Sequence, residues 1–310
     1  MPELNDEMTV RRILYPTDFS RGAKHALTYA VSLAELFGAE LYILHAVALR
    51  QDDPDNPAYY FRGSEDELDR RAHTVASAEM VQLVAGEDAR TKIFQVHRRG
   101  AYAGPVILDY AEEQGIDLIV MGVHGRRGGS RPRLGSVADE VIRRAPCPVL
   151  TLSALDEPRT MEAPRRVLVP VDFSAPSRRS LAYAVRLARR FGARLQLLHV
   201  IEKVTVPEFY AATLPPHPED VEVRTLEVLG AWMAEVEGAD VPFEAHVAVG
   251  RPAMEISAFA ERHESDLAVI ATQGLTGFHR VAMGGTTEQV VRLCQCPVLV
   301  VRADANRPPA

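Results

Sequence analysis

The sequence predicts an α/β protein of two tandem doubly wound domains, each a five-stranded parallel sheet with helices on both faces. Three observations predict it. At 310 residues the chain exceeds one ordinary core, so two domains of about 150 residues are expected. Its two halves repeat one another. Within each half, short apolar runs alternate with longer segments of helical spacing, the pattern of strands joined by crossover helices.

The repeat is read from matched residues. Ile13-Leu14-Tyr15-Pro16-Thr17-Asp18-Phe19-Ser20 recurs as Leu168-Val169-Pro170-Val171-Asp172-Phe173-Ser174, with Pro, Asp, Phe and Ser at an offset of 154. Phe37-Gly38-Ala39 and His45 recur as Phe191-Gly192-Ala193 and His199 at that offset. Asp117-Leu118, Gly125, Gly135 and Cys147-Pro148-Val149-Leu150 recur as Asp266-Leu267, Gly274, Gly284 and Cys296-Pro297-Val298-Leu299, at 149. One domain is therefore duplicated. His97 and His246 sit similarly, each near the end of its half's third strand. The domains are placed at 8–153 and 165–303, joined by a linker over Ser153 to Pro164, and the tail after Arg302 is expected to fray.

In the first half, Ile13 to Tyr15 is a strand. Ala23, Ala26, Leu27, Ala30, Ala34 and Phe37 then mark one helix face, which ends at Gly38 as a C-cap does. Leu41 to Val47 is the second strand, and a helix follows over about 64–85. Ile93 to Val96, Leu118 to Met121 and Val149 to Leu152 supply three further strands, with helices over Val106 to Glu113 and Ser136 to Arg144. The second half repeats the order, its first helix placing Leu181, Ala184, Val185, Ala188 and Phe191 on one face.

Composition narrows the function classes. Hydrophobic residues make up 47% and charged residues 25%, neither disordered nor fibrous. No apolar run approaches the roughly 20 residues of a membrane helix. The acidic start, Met1 to Met8, has no apolar core, so no signal peptide is read there and a cytoplasmic location is the default expectation. A net charge of −7 argues against a nucleic-acid surface over the whole protein. The three cysteines read as buried small hydrophobes, and Cys294-x-Cys296 has the wrong spacing for a zinc knuckle.

The stretch from Gly122 to Ser136 carries the chemistry. It follows an apolar strand, holds Gly122, Gly125 and Gly135, and opens a helix. The glycines suit close ligand approach or positive φ, Ser136 suits an N-cap, and a helix N-terminus favours an anion. In an open parallel sheet the ligand sits beyond the carboxyl ends of the strands. Asp18, after the first strand, and the glycine loop, after the fourth, both reach that edge. Turn chemistry offers Asp18 a plainer role, as a carboxylate at a helix start.

Pro16-Thr17-Asp18 together with Gly122-x2-Gly125-x9-Gly135-Ser136 resembles the ATP-binding signature of the universal stress protein family, and the resemblance covers both halves. It implies the strand order 3-2-1-4-5 and pairing of domains through their fifth strands, hence an internal pseudo-dimer. It further implies that Asp18 contacts the adenosine and the backbone near Ala46 borders the adenine. Gly122 and Gly125 would follow the ribose and phosphates, with Gly135, Ser136 and Val137 on the phosphate chain. Arg126, one of four arginines in the loop with Arg127, Arg131 and Arg133, is a candidate phosphate clamp.

The second half departs from the signature. Ala271 stands at the first glycine and Gly285 at the serine, leaving Asp172, Val200, Gly274, Gly284, Gly285 and Thr286 as a weaker site. No metal ligand set is read: His45, His97, His199 and His246 lack metal-pair spacing, and any Mg²⁺ would be held by ATP's phosphates and water. There is no Walker lysine, carboxylate pair or activated nucleophile. The expected function is an adenine-nucleotide-binding stress or signalling module without dedicated catalysis. A slow ATPase or adenylyl-transferring enzyme is the alternative, and a ligand-free interaction scaffold a third. The loops over Ala48 to Gly63 and Glu202 to Pro218 are lid or partner candidates. Unidentified protein partners and a homodimer of the tandem chain stay open.

Overall fold

A computed structural model of the chain describes residues 8–48, 65–84, 91–123, 134–153, 163–202, 218–272 and 283–302. Two compact units have their bodies in Thr9–Glu162 and Ala163–Asp304. The first comprises β1 (Arg12–Pro16), α1 (Arg21–Phe37), β2 (Glu40–Ala48), α2 (Glu65–Val84), β3 (Ile93–Gly100), α3 (Ala103–Glu113), β4 (Leu118–Gly122), α4 (Ser136–Arg144) and β5 (Val149–Leu152). The second repeats it as β6 (Arg166–Pro170), α5 (Ala175–Phe191), β7 (Arg194–Ile201), α6 (Pro218–Ala234), β8 (Phe243–Val249), α7 (Pro252–Arg262), β9 (Leu267–Ala271), α8 (Gly285–Leu293) and β10 (Val298–Val301).

Both units have the order expected, β3-β2-β1-β4-β5 and β8-β7-β6-β9-β10, with the strands parallel. The central strands are buried on both faces, which is why they read as unbroken apolar runs. Ile13, Leu14 and Tyr15 are fully buried, as are Val167, Leu168 and Val169. Helices cover both faces. In β2, Tyr42 meets Tyr110 of α3, whereas the odd-numbered His45 lies beside His97, which meets His73 of α2.

The first helix of each unit shows why these segments are helical. α1 starts at Ser20, whose side chain accepts from the Ala23 N–H, buries its alanine and leucine face, and ends at Gly38 with φ 67°. α5 does the same from Ser174, with Pro176 in its first turn, to Gly192 with φ 66°. A left-handed C-cap costs glycine nothing and other residues about 1 kcal/mol or more.

β1 stops at Pro16, opposite Leu44, while β2 runs on to Ala48 and β3 to Gly100. The chain leaving β1 therefore turns in a step, walled on one side by the protruding end of β2. On the other side β4 pairs with β1 through Ile13 and Leu118, then Leu14 and Ile119. That register carries Gly122 to the level of Thr17.

Candidate functional site

The turn after β1 is built from its own side chains. The Thr17 N–H donates to Leu44 O at 2.8 Å, and Thr17 Oγ1 accepts from the Phe19 N–H at 3.0 Å. Asp18 Oδ1 accepts from the Ser20 N–H at 3.0 Å. Asp18, half-buried, thus has the turn-holding role that local chemistry offers it, at the same edge as the glycine segment. Below it the buried Tyr15 hydroxyl donates to Ala23 O at 2.7 Å and lies 3.2 Å from Thr17 Oγ1. Burial first, and the Asp18 charge in addition, push this phenol well above its ordinary range.

Two features of the turn have no sequence signal. Phe19 holds φ 62°, and Phe173 in the second unit φ 60°. This is a rare conformation for a side-chain-bearing residue. Each phenylalanine ring lies against a histidine, at 4.6 Å from His45 and 4.7 Å from His199. His45 Nδ1 is 2.8 Å from Thr17 O, and His199 Nδ1 is 2.7 Å from Val171 O. A carbonyl only accepts, so Nδ1 carries the proton in both rings.

Beyond β4, neither Gly122 nor Gly135 has a positive φ. A methyl on Gly122 would lie 2.8 Å from Gly22 O and 2.9 Å from Gly22 C, so the first turn of α1 packs directly on this glycine. Gly135, at φ −63° and ψ 140°, is itself the N-cap of α4, and Ser136 is the exposed first helical residue. The reason is a main-chain bond: the Gly135 N–H donates to Val123 O at 3.0 Å and pins the helix start one residue earlier than the serine suggests. The cap supplies no side-chain acceptor, and the first-turn N–H groups at Ser136 and Val137 have no partner within the helix. Ala46 sits half-buried near the end of β2. Gly125, Arg126 and the other loop arginines lie outside the described residues, as do the loops 49–64 and 203–217, most of the linker and the tail.

The second copy repeats this geometry. Asp172 Oδ1 accepts from both the N–H and the hydroxyl of Ser174, at 3.0 and 2.6 Å. The Gly284 N–H donates to Thr272 O at 2.9 Å, so α8 opens at Gly285 as α4 does at Ser136. Thr286 is half-buried, but the buried Thr287 donates its hydroxyl to Ala271 O at 2.8 Å and is turned away from the helix end. Val200 occupies Ala46's place on β7, and Gly274 lies outside the described residues.

A family description matches this geometry twice. The model of the "Universal stress protein family" covers residues 9–153 and 164–302. The chain belongs to that family. Universal stress protein Rv2623 of Mycobacterium tuberculosis is 28% identical over 297 residues, 94% of this chain and 96% of that protein. Rv2005c of the same organism is 29% identical over 200 residues, 64% of this chain and 65% of the relative, so less than two thirds of its length is spanned. A universal stress protein of Archaeoglobus fulgidus has the same fold, with a TM-score of 0.66, 24% identity and 96% and 98% of the two chains covered.

The histidines of this universal stress protein correct one sequence equivalence. Leu41 pairs with Ile93, whereas Leu195 pairs with Phe243. The third strands thus correspond at an offset of 150, and His97 matches Val247 rather than His246. An odd slip reverses the face: His97 meets His73 of α2 at 4.7 Å, while His246 meets Phe259 of α7 and His263 at that helix's C-cap, at 4.9 and 5.3 Å. Among the described residues no group of three His, Cys, Asp or Glu is arranged to hold a metal, and none is long and apolar enough as a helix to cross a membrane.

Proposed function

We propose that this universal stress protein is an adenine-nucleotide-binding module without dedicated catalysis, with ATP held chiefly in its first unit. One juxtaposition carries the reading. β1 and β4 are neighbours where the strand order reverses, so Pro16-Thr17-Asp18 and the open start of α4 border one crevice, the ligand position of such sheets. In this reading adenine lies beside Ala46, the adenosine at Asp18, and the phosphates along Gly135, Ser136 and Val137, with Gly122, Gly125 and Arg126 at the same segment. The helix end supplies N–H donors and a partial positive charge, and Mg²⁺ is held by the phosphates and water.

The second unit is the weaker site. Gly285 offers no hydroxyl, and Thr287 does not replace it, being bonded to Ala271 O. The stress-response setting is supported by the relatives' names, and a cytoplasmic location is proposed with it. Pairing of the two halves as a pseudo-dimer is supported by the duplication, and homodimerisation of the tandem chain is proposed with it.

The test begins with mass spectrometry of small molecules released from freshly purified, denatured protein, where an adenine nucleotide is expected. Calorimetric titration of the stripped protein with ATP should then show one strong site. Two equivalent sites would overturn the preference for the first unit, and no binding would overturn the reading itself. Steady release of ADP or AMP at about 1 s⁻¹ or faster would make the protein an enzyme instead.

A further inference from the structure

The second unit has a cavity of about 460 Å³ lined by Arg165, Arg166, Arg194, Gln196, Glu244, Arg262, His263 and Glu264. Arg166 and Arg194 are the first residues of β6 and β7, and Arg262 is the last of α7. The cavity therefore lies at the amino-terminal edge of the sheet, opposite the edge that carries Asp172.

The first unit is an internal control, because the same place there is filled. Tyr42 and Phe94 stand where Gln196 and Glu244 do, and their rings stack at 4.8 Å with an interplanar angle of 15°. Lys92 lies over Phe94 at 4.6 Å and bonds Glu40 at 2.9 Å, and Arg98 bonds Glu113 at 3.2 Å. The second copy exchanges both rings for polar side chains and both of these acids for arginines, Arg194 for Glu40 and Arg262 for Glu113. Over the eight lining positions the first copy has two arginines against two glutamates, a formal charge of 0, whereas the second has four against two, or +2. This happens in a chain of net charge −7.

The polar base is ordered. Gln196 is 4% exposed and its Oε1 accepts from the Ser265 hydroxyl at 2.6 Å, which turns the amide NH₂ the other way, where its nearest acceptor is His263 O at a long 3.5 Å. Arg166 bonds Glu264 at 2.9 Å, Arg194 bonds Glu244, and Arg262 Nε donates to Ala258 O at 3.3 Å. Each guanidinium has five N–H donors in a fork that matches phosphate oxygens, so these bonds leave donor capacity for a further anion.

We propose that this cavity binds a compact phosphate-class oxyanion of two or more negative charges, at a site separate from the nucleotide crevice. Guanidinium groups arriving from two strands and a helix suit a tetrahedral group that accepts from several directions. A lone carboxylate is served by a single fork.

The test uses the full chain and inorganic pyrophosphate at constant ionic strength. Hydrogen-exchange mass spectrometry should show protection at residues 194–196 and 262–265, and calorimetry a saturable site. Arg194→Ala/Arg262→Ala should weaken binding by about tenfold or more. The rebuilt pair Gln196→Tyr/Glu244→Phe, which restores the first copy's stack, should abolish it with the second unit still folded by circular dichroism. Protection confined to the carboxyl edge, binding unchanged in both variants, or citrate binding more tightly than pyrophosphate would overturn the proposal. The exchange measurement on the unaltered chain decides the matter even if a variant fails to fold.

Discussion

A methyl group at position 122 has nowhere to go, since it would press on the carbonyl of Gly22 at 2.8 Å. Overpacking against main chain costs about 1–3 kcal/mol. Gly122→Ala should therefore lower the urea-unfolding midpoint of the first unit by a corresponding amount whether or not nucleotide is present. An unchanged midpoint would mean that the first turn of α1 yields freely. The glycine was visible in the sequence; this contact was not, because it joins residues 100 apart and no local pattern records it. Ser136 teaches the same lesson. Gly-Ser before a helix reads as a serine cap, yet the bond from the Gly135 N–H to Val123 O outranks that local preference. Phe19 was still less legible, because a left-handed phenylalanine is held by His45 and the turn rather than announced by residue type.

Elements with strong periodicity were legible nearly to the residue. α4 and β5 have the expected limits, Ser136–Arg144 and Val149–Leu152, and α1 ends at Phe37 before its glycine. β3 was read short, at Val96, because its last half, His97-Arg98-Arg99-Gly100, is a polar edge-strand sequence without an apolar run. Its register was not legible either: a one-residue difference in the connections turned His97 and His246 to opposite faces. The start of α8 offers an experiment at this scale. A Cβ at Gly285 meets nothing within 4 Å, and the residue is exposed. Gly285→Ser should fold at least as well as the parent, since glycine in a helix costs roughly 0.5–1 kcal/mol. By restoring the first copy's hydroxyl, it should also tighten ATP binding in the second unit several-fold, read as a second transition in calorimetry. A stable variant with unaltered titration would show that the hydroxyl is not what separates the copies.

Across the whole molecule, acid should act on both units with the same sign. His97 titrates below its ordinary value of 6.5, chiefly because burial disfavours its charged form, with His73 and His45 adding repulsion. His263 is lowered by burial first, then by His246 and Arg262, against a smaller opposing pull from Glu244. For such a base the unfolded chain takes up the proton first. Stability is therefore full above pH 6.5 and falls as the pH drops below it, until the folded-state value is passed. The carboxylates of Glu40 and Glu244 are lowered, by Lys92 and by Arg194. Their contribution is present above their ordinary value of 4.5 and is lost only at lower pH, so it forms a second, later stage. The single tryptophan, Trp232, packs on Phe173 in the second unit and reports that unit alone. Urea unfolding followed by its fluorescence should show a midpoint that declines from pH 7 to 5. His263→Gln should flatten that decline, while His97→Gln should leave it in place and flatten only the first unit's loss, read by hydrogen exchange over β2 and β3. An undiminished decline in His263→Gln would assign the acid sensitivity of the second unit to other groups.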